Sequence, residues 1–203
     1  TPLSDGKVYE SNAIMLKNAL ASLGIQEVII QKVTDEYHET ETILNKMLNN
    51  YDFTIVSGGI SLGDYDFVGD ALAAIGVDEV FYKVKQKPGK PLYFGKKNDR
   101  FAFALPGNPA SALSCFYVYV ALAITRYSGK ERSDVLSQRL TAVNSFTSNG
   151  TRALATAEKV EILDGQASSM LRSFAVANAL VYLPEGEQTI NKGSEVNVLL
   201  LPQ

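Results

Sequence analysis

Phe53-Thr54-Ile55-Val56-Ser57-Gly58-Gly59-Ile60-Ser61-Leu62-Gly63-Asp64-Tyr65-Asp66 is the stretch that decides the fold. Its first five residues are uncharged and mostly apolar or β-branched, the composition of a strand buried in a sheet. The strand runs straight into a glycine pair. A short helix is expected just beyond, over Phe67–Ile75, with Gly76 as its stop. Strand, Gly-rich turn and helix in succession form the repeating unit of a parallel or mixed sheet covered by helices.

The same alternation extends both ways. Upstream, Ile14, Leu16, Leu20 and Leu23 fall near helical spacing, with Asn12 as the expected N-cap and Gly24 as the stop. Glu27–Gln31 reads as a buried strand, and Glu39–Leu48 as a polar helix with Ile43, Leu44, Met47 and Leu48 on its apolar side. Downstream, Val80–Lys87 reads as a strand. Pro91–Phe94 and Phe101–Leu105 read as a hairpin joined by a polar Gly95–Arg100 turn, and a long apolar helix follows from Pro109 to about Tyr127. The fold class expected is α/β, a three-layer and mostly parallel sheet with helices on both faces.

The pattern changes after Gly129. Lys130–Leu136 is charged and reads as a linker. Beyond it come short runs at Val160–Leu163, Ala179–Leu183 and Val196–Leu201. Turns at Asp164-Gly165, Pro184-Glu185-Gly186 and Lys192-Gly193 separate them, the pattern of a small all-β domain. The expected domains are residues 1–133 and 137–203.

Composition narrows the function. The 203 residues are 46% hydrophobic and 20% charged, enough apolar material for a sizeable core. The net charge of −3 argues against a general nucleic-acid-binding surface. The most apolar run, Ala112–Thr125, is broken by Ser114, Tyr117 and Tyr119, so neither a membrane span nor a signal peptide is expected. A single cysteine, Cys115, excludes an internal disulfide and a four-cysteine zinc site, and it suits a reducing cytoplasm. The single histidine, His38, excludes a histidine-rich metal site and reads as a surface residue.

Four features carry chemistry. In the Gly-rich stretch, Gly58, Gly59 and Gly63 let backbone N–H groups approach an anion, while Ser57 and Ser61 add hydroxyls. Asp64 and Asp66 fit there if a divalent cation joins them to a phosphate, or if one orients a nucleophile. The alternative is a plain turn with Asp64 or Asp66 capping the next helix. Lys83-x-Lys85-x-Lys87-Pro88-Gly89-Lys90-Pro91 reads either as a stiff loop presenting Lys87 and Lys90 to an anion or as a lysine-protected edge strand. In Leu105-Pro106-Gly107-Asn108-Pro109, with Ser111 close behind, Asn108 or Ser111 suits a cap and Pro109 suits the first helical position. That explains a rigid strand-to-helix connection, and it also suits a fixed loop facing a ligand. Asp35 follows the expected strand Glu27–Gln31, where it would share a crevice with Asp66 or serve as a turn residue.

Ser-Gly-Gly-x-Ser-x-Gly-x-x-Asp (57–66), Lys-Pro-Gly-Lys-Pro (87–91) and Leu-Pro-Gly-Asn-Pro-x-Ser (105–111) occur here in an order that resembles the MoeA-type molybdopterin molybdenumtransferases, the family of the gephyrin E domain. Asp5–Asn12 resembles the segment that opens the family's α/β domain. The resemblance covers essentially the whole chain, a MogA-like molybdopterin-binding domain and then the small β domain. It implies insertion of molybdate into adenylylated molybdopterin, with release of AMP and help from Mg²⁺. It implies catalytic roles for Asp35 and Asp66, with Asp66, Asp64 and Asp35 as the metal candidates. Ser57, Gly58, Gly59, Ser61, Gly63, Lys87, Gly89, Lys90, Pro106, Gly107, Asn108, Pro109 and Ser111 are the implied substrate-binding set.

It also implies a cytoplasmic homodimer, with a molybdopterin adenylyltransferase as a possible partner. Family members usually carry a Thr-Gly-Asp-Glu segment just before the region matched by Pro2–Asn12, and two further domains. The 203 residues are therefore expected to be a C-terminal piece, incomplete for catalysis on its own. The rival readings are an adenylyltransferase of the MogA type, which normally lacks a trailing β domain, and a non-catalytic scaffold.

Overall fold

The computed structural model describes residues 10–34, 36–60, 67–129, 137–148, 152–156, 160–163, 171–183, 186 and 188–201. Helix α1 spans Asn12–Ser22 and α2 spans Tyr37–Asn50. Strand β1 is Phe53–Ser57, α3 is Val68–Ala74, β2 is Asp78–Tyr82, β3 is Tyr93–Lys97 and β4 is Arg100–Leu105. These strands form one sheet in the order β1-β4-β3-β2.

Within β4 the side chains alternate. Ala102 and Ala104 join a core with Leu44 and Leu48 of α2 and Leu72 of α3. Phe103 and Leu105 join the other core, with Leu16 and Leu20 of α1 and Phe116 of the long helix. Strand periodicity of two thus distributes one strand between two cores, and the helices cover both faces as expected.

Two expectations change. Only β1 and β4 are parallel, while β3 runs antiparallel to both of its neighbours. The sheet among the described residues is therefore mixed rather than mostly parallel, because a tight β3–β4 hairpin can only be antiparallel. Its turn is also tighter than Gly95–Arg100. It sits at Asn98-Asp99, with Asn98 at φ 54, a left-handed value that Asn tolerates. Glu27–Gln31 joins no ladder. It stays outside the sheet, although β1 is an edge strand among the described residues: Val28 packs against the core while Ile29 and Ile30 are exposed, so β propensity alone does not make a strand.

The long helix begins at Pro109 and ends at Tyr127 as expected, in three parts: α4 (Pro109–Cys115), a π turn (Phe116–Val120) and α5 (Ala121–Tyr127). By length and composition it is apolar enough to cross a membrane. Here Phe116 and Val120 fill the sheet's core, while Val118 packs with Leu180, Leu199 and Leu201 of the C-terminal half.

That half holds β5 (Ser137–Thr141), β6 (Phe146–Ser148), β7 (Arg152–Thr156), β8 (Glu161–Ile162), β9 (Ala179–Tyr182), β10 (Gln188–Ile190) and β11 (Glu195–Leu200). Five of them form a sheet in the order β5-β11-β9-β7-β8, and β10 pairs with β6. The three expected runs correspond to β8, β9 and β11. The strands missed from sequence are short, without a clear apolar alternation. The expected linker Lys130–Leu136 and the turns at Asp164-Gly165 and Pro184-Glu185 lie outside the described residues.

Candidate functional site

One row of residues crosses the first sheet. Tyr82 pairs with Tyr93, Tyr93 with Ala104, and Ala104 with Val56. Because β2, β4 and β1 all point the same way across this row, their C-terminal ends reach the same side of the sheet. Three connections leave from there: the Lys83–Pro91 loop, the Pro106-Gly107-Asn108 turn and the Gly58-Gly59 turn. The sheet edge at the carboxyl ends of strands is where open α/β folds bind ligands.

Side chains and backbone knit the three together. Gly58 N–H donates to the Leu105 carbonyl at 3.1 Å, carrying the parallel ladder one step past the strands. Gly58 and Gly59 take φ values of 91° and 66°, which suit glycine, and a Cβ on Gly59 would meet Val68 at 2.9 Å. Asn12 donates through Nδ2 to Ser57 Oγ (2.7 Å) and to the Gly107 carbonyl (2.8 Å), so one amide clasps both turns. Its Oδ1 is buried without a partner at that junction. Asn12 is thus not the expected cap. The first turn of α1 is instead served by Glu10, whose Oε1 accepts from Ala13 N–H. Tyr82 Oη donates to the Ile60 carbonyl at 3.1 Å and ties the end of β2 to the Gly-rich turn.

The basic loop departs from its expected form. β2 stops at Tyr82, and Lys83 adopts φ 63, so Lys83, Lys85 and Lys87 do not alternate along one strand. Lys83 folds its ammonium over the Tyr82 ring, 4.6 Å from the centroid. Lys85, Lys87 and Lys90 are exposed. The loop base is closed by Lys83 N–H to the Leu92 carbonyl and Val84 N–H to the Lys90 carbonyl, each at 3.0 Å.

At Gly89 the loop presses on α4. A Cβ there would come within 2.5 Å of Cys115 Sγ and 3.6 Å of the Ser111 carbonyl. Ser111 and Cys115 are one helical turn apart, and both are buried. Ser111 is therefore beneath the loop rather than at its surface. Pro109 holds the first helical position, as expected, and Asn108 sits at the cap position without a side-chain capping bond.

Beneath this edge Tyr93 is buried, and its hydroxyl is pushed up to about 12, by burial first and then by Glu79 and Asp78. Asp35, Ser61, Gly63, Asp64 and Asp66 lie outside the described residues. Among the described residues no three His, Cys, Asp or Glu side chains cluster as metal ligands. His38 is at the surface, as expected, and Cys115 is buried in the core. A cavity of about 340 Å³ between Asp52, Lys97 and Arg100 lies at the opposite end of the sheet, away from these loops.

Asn12, Tyr82 and Gln86 were missed from the sequence as supports of this edge. Asn12 read as a cap and Gln86 as one residue of a strand, and nothing local marks their partners.

Comparison with known proteins adds a family to this geometry. Residues 1–126 match the family described as a probable molybdopterin binding domain, and residues 147–201 match the MoeA C-terminal region (domain IV). The chain is 30% identical over 210 residues to a molybdopterin molybdenumtransferase of Bacillus subtilis, covering 98% of this chain and 49% of that protein. It is 31% identical over 208 residues to the molybdenum cofactor synthesis protein cinnamon of Drosophila melanogaster, covering 96% and 34%. Against molybdopterin molybdenumtransferase 2 of Mycobacterium tuberculosis the identity is 33%, covering 98% and 52%. The chain thus spans about a third to a half of the length of these curated relatives. Among solved structures, a MoeA protein from Pyrococcus horikosii superposes with a TM-score of 0.81 at 24% identity, over 100% of this chain and 51% of that one.

Proposed function

Since the chain belongs to the molybdopterin-binding domain family and joins that domain to a MoeA C-terminal region, we propose that it serves molybdenum cofactor biosynthesis. The proposed reaction of the whole protein is insertion of molybdate into adenylylated molybdopterin, with release of AMP. The observation that carries this reading is the meeting of the three motif loops at one sheet edge, tied by Asn12 and Tyr82.

On this reading the amides of Gly58 and Gly59, with Ser57, Ser61 and Gly63, receive phosphate oxygens of the substrate. Lys87 and Lys90 supply the opposing positive charge in a chain of net charge −3. Gly89 and Ser111 let that loop seat on α4, and Pro106, Gly107, Asn108 and Pro109 form the rigid floor. Holding the reacting groups together is worth more here than any single donor, because phosphoryl chemistry asks the protein mainly for positioning and charge.

Asp66, with Asp35, is the proposed catalytic pair. Asp66, Asp64 and Asp35 are also the residues from which Mg²⁺ would be held, since carboxylates are the hard oxygen donors this ion takes, one or two of them beside substrate phosphate oxygens. Bound there, the ion would offset negative charge on the substrate. The same reading makes the protein a cytoplasmic homodimer that accepts substrate from a molybdopterin adenylyltransferase. It also divides the chain into residues 1–133, for the pterin and phosphates, and a separate small β domain over 137–203. A trailing β domain that matches the MoeA C-terminal region favours molybdate insertion over adenylylation.

The test is Asp66→Ala in the full-length protein. Cofactor synthesis from adenylylated molybdopterin should vanish while the circular dichroism spectrum and melting temperature hold. Wild-type complementation by that variant would overturn the catalytic assignment.

A further inference from the structure

Gln86 is buried in the middle of the basic loop, flanked by exposed Lys85 and Lys87. A buried primary amide is costly unless both of its ends are bonded. Here both are. Nε2 donates to the Gly89 carbonyl and to Cys115 Sγ (3.3 Å), and Oε1 accepts from Tyr119 Oη at 2.7 Å. The carbonyl of Gly89 can only accept, which sets the orientation of the amide and leaves Oε1 to the phenol. Both helix partners belong to the long helix that starts at Pro109, Cys115 in α4 and Tyr119 in the π turn that follows it. π turns are enriched near functional sites.

We propose that Gln86 is a positioning residue, whose amide locks the Lys87-to-Lys90 loop onto the helix rising from the Pro106–Asn108 turn. This inference rests on the anion-clamp reading of that loop. Lys87 and Lys90 have flexible stems and exposed heads. Their ammonium groups converge on one anion only if the backbone between them is held. The bonds that hold it include the two at the loop base, a turn bond from Gln86 N–H to the Val84 carbonyl (2.8 Å), the Cys115 thiol on the Gly89 carbonyl (3.7 Å) and the Gln86 amide, the bond set that reaches both the tip and the helix. Buried beneath the loop, Gln86 acts through the lysines rather than on the anion itself.

The experiment measures binding of inorganic pyrophosphate to the full-length protein by calorimetry. Gln86→Met keeps the volume and removes the bonds. It should weaken binding about tenfold, the scale of one to two lost hydrogen bonds. Tyr119→Phe should move affinity the same way by less, and it carries the test if Gln86→Met does not fold. In a Lys87→Ala/Lys90→Ala background, adding Gln86→Met should change nothing, because no clamp is left to position. Wild-type affinity in both Gln86→Met and Tyr119→Phe overturns the inference. So does an equal loss with and without the lysines, which marks general destabilisation. If Lys87→Ala/Lys90→Ala binds pyrophosphate as the wild type does, the clamp reading itself fails, and the inference falls with it.

Discussion

The two sheets solve the burial problem differently. In the first, β4 gives Phe103 and Leu105 to one core and Ala102 and Ala104 to the other, so both faces are covered by helices. In the second, β11 buries Val196 and Val198 while Glu195 and Asn197 face solvent. Its other face meets apolar cover at Leu180 of β9 and at Leu199 and Leu201 near its end, and that cover includes Val118 of the long helix. In the first sheet, helices packed on both faces hold the strand ends that carry the three loops. Its C-terminal rim can hold loops in register, which a half-covered sheet does less well. The candidate site is on the first.

The comparison breaks most readily in the cores. Phe116→Ala, in the doubly covered half, should cost about 3–5 kcal/mol, a large share of the roughly 5–15 kcal/mol that holds a domain folded. A loss below about 1 kcal/mol in chemical denaturation would mean that this core is not the one that stabilises the rim.

Leu180→Ala, at the seam, should cost about 2–5 kcal/mol. If the halves are coupled through Val118, calorimetry shows a single transition moving down. A shift confined to one of two transitions would make the seam a contact between independently melting units.

Gly89→Ala comes next. It needs φ 90 and puts a methyl 2.5 Å from Cys115 Sγ, so it should destabilise by more than about 1 kcal/mol. It should also weaken pyrophosphate binding, and unchanged affinity would separate loop seating from anion binding.

Alkaline pH probes the first half through Tyr93. The Tyr93 hydroxyl is raised from its ordinary value of 10 to about 12, so the folded state keeps a proton that the unfolded chain has lost. Stability should be intact below pH 10 and fall as pH rises from there toward 12. Tyr93→Phe should flatten that fall, and a denaturation series unaltered by the substitution would contradict the assignment.

The smallest effect is expected at Arg100. Its bond to Asp52 at 2.6 Å is geometrically good but exposed, so Arg100→Ala should cost less than about 1 kcal/mol. A larger loss would show that the far end of the sheet matters as much as its rim.

Much of this was legible beforehand, and the limits are physical. Strand Phe53–Ser57, the α3 helix and the Pro109 helix start depend on neighbours a few residues away, so local pattern sufficed. Glu27–Gln31 has the composition of a strand and joins no ladder, because pairing needs two segments brought together in register, which composition does not specify. The β2 strand ended early because Lys83 turns left-handed, which its sequence does not announce. The short strands β5, β6, β7 and β10 lack the apolar alternation that reveals longer ones.

By itself, the sequence determined the order of the three loops, the glycines that let them turn and the charges they carry. Those properties reside in single residues and their nearest neighbours. Only the tertiary structure decided that the loops share one rim, because strand direction and register are set between segments. It alone assigned Asn12 its partners, 45 and 95 residues away, and placed Gln86 beneath the lysines. A buried amide takes its role from whatever donors and acceptors the fold brings within reach.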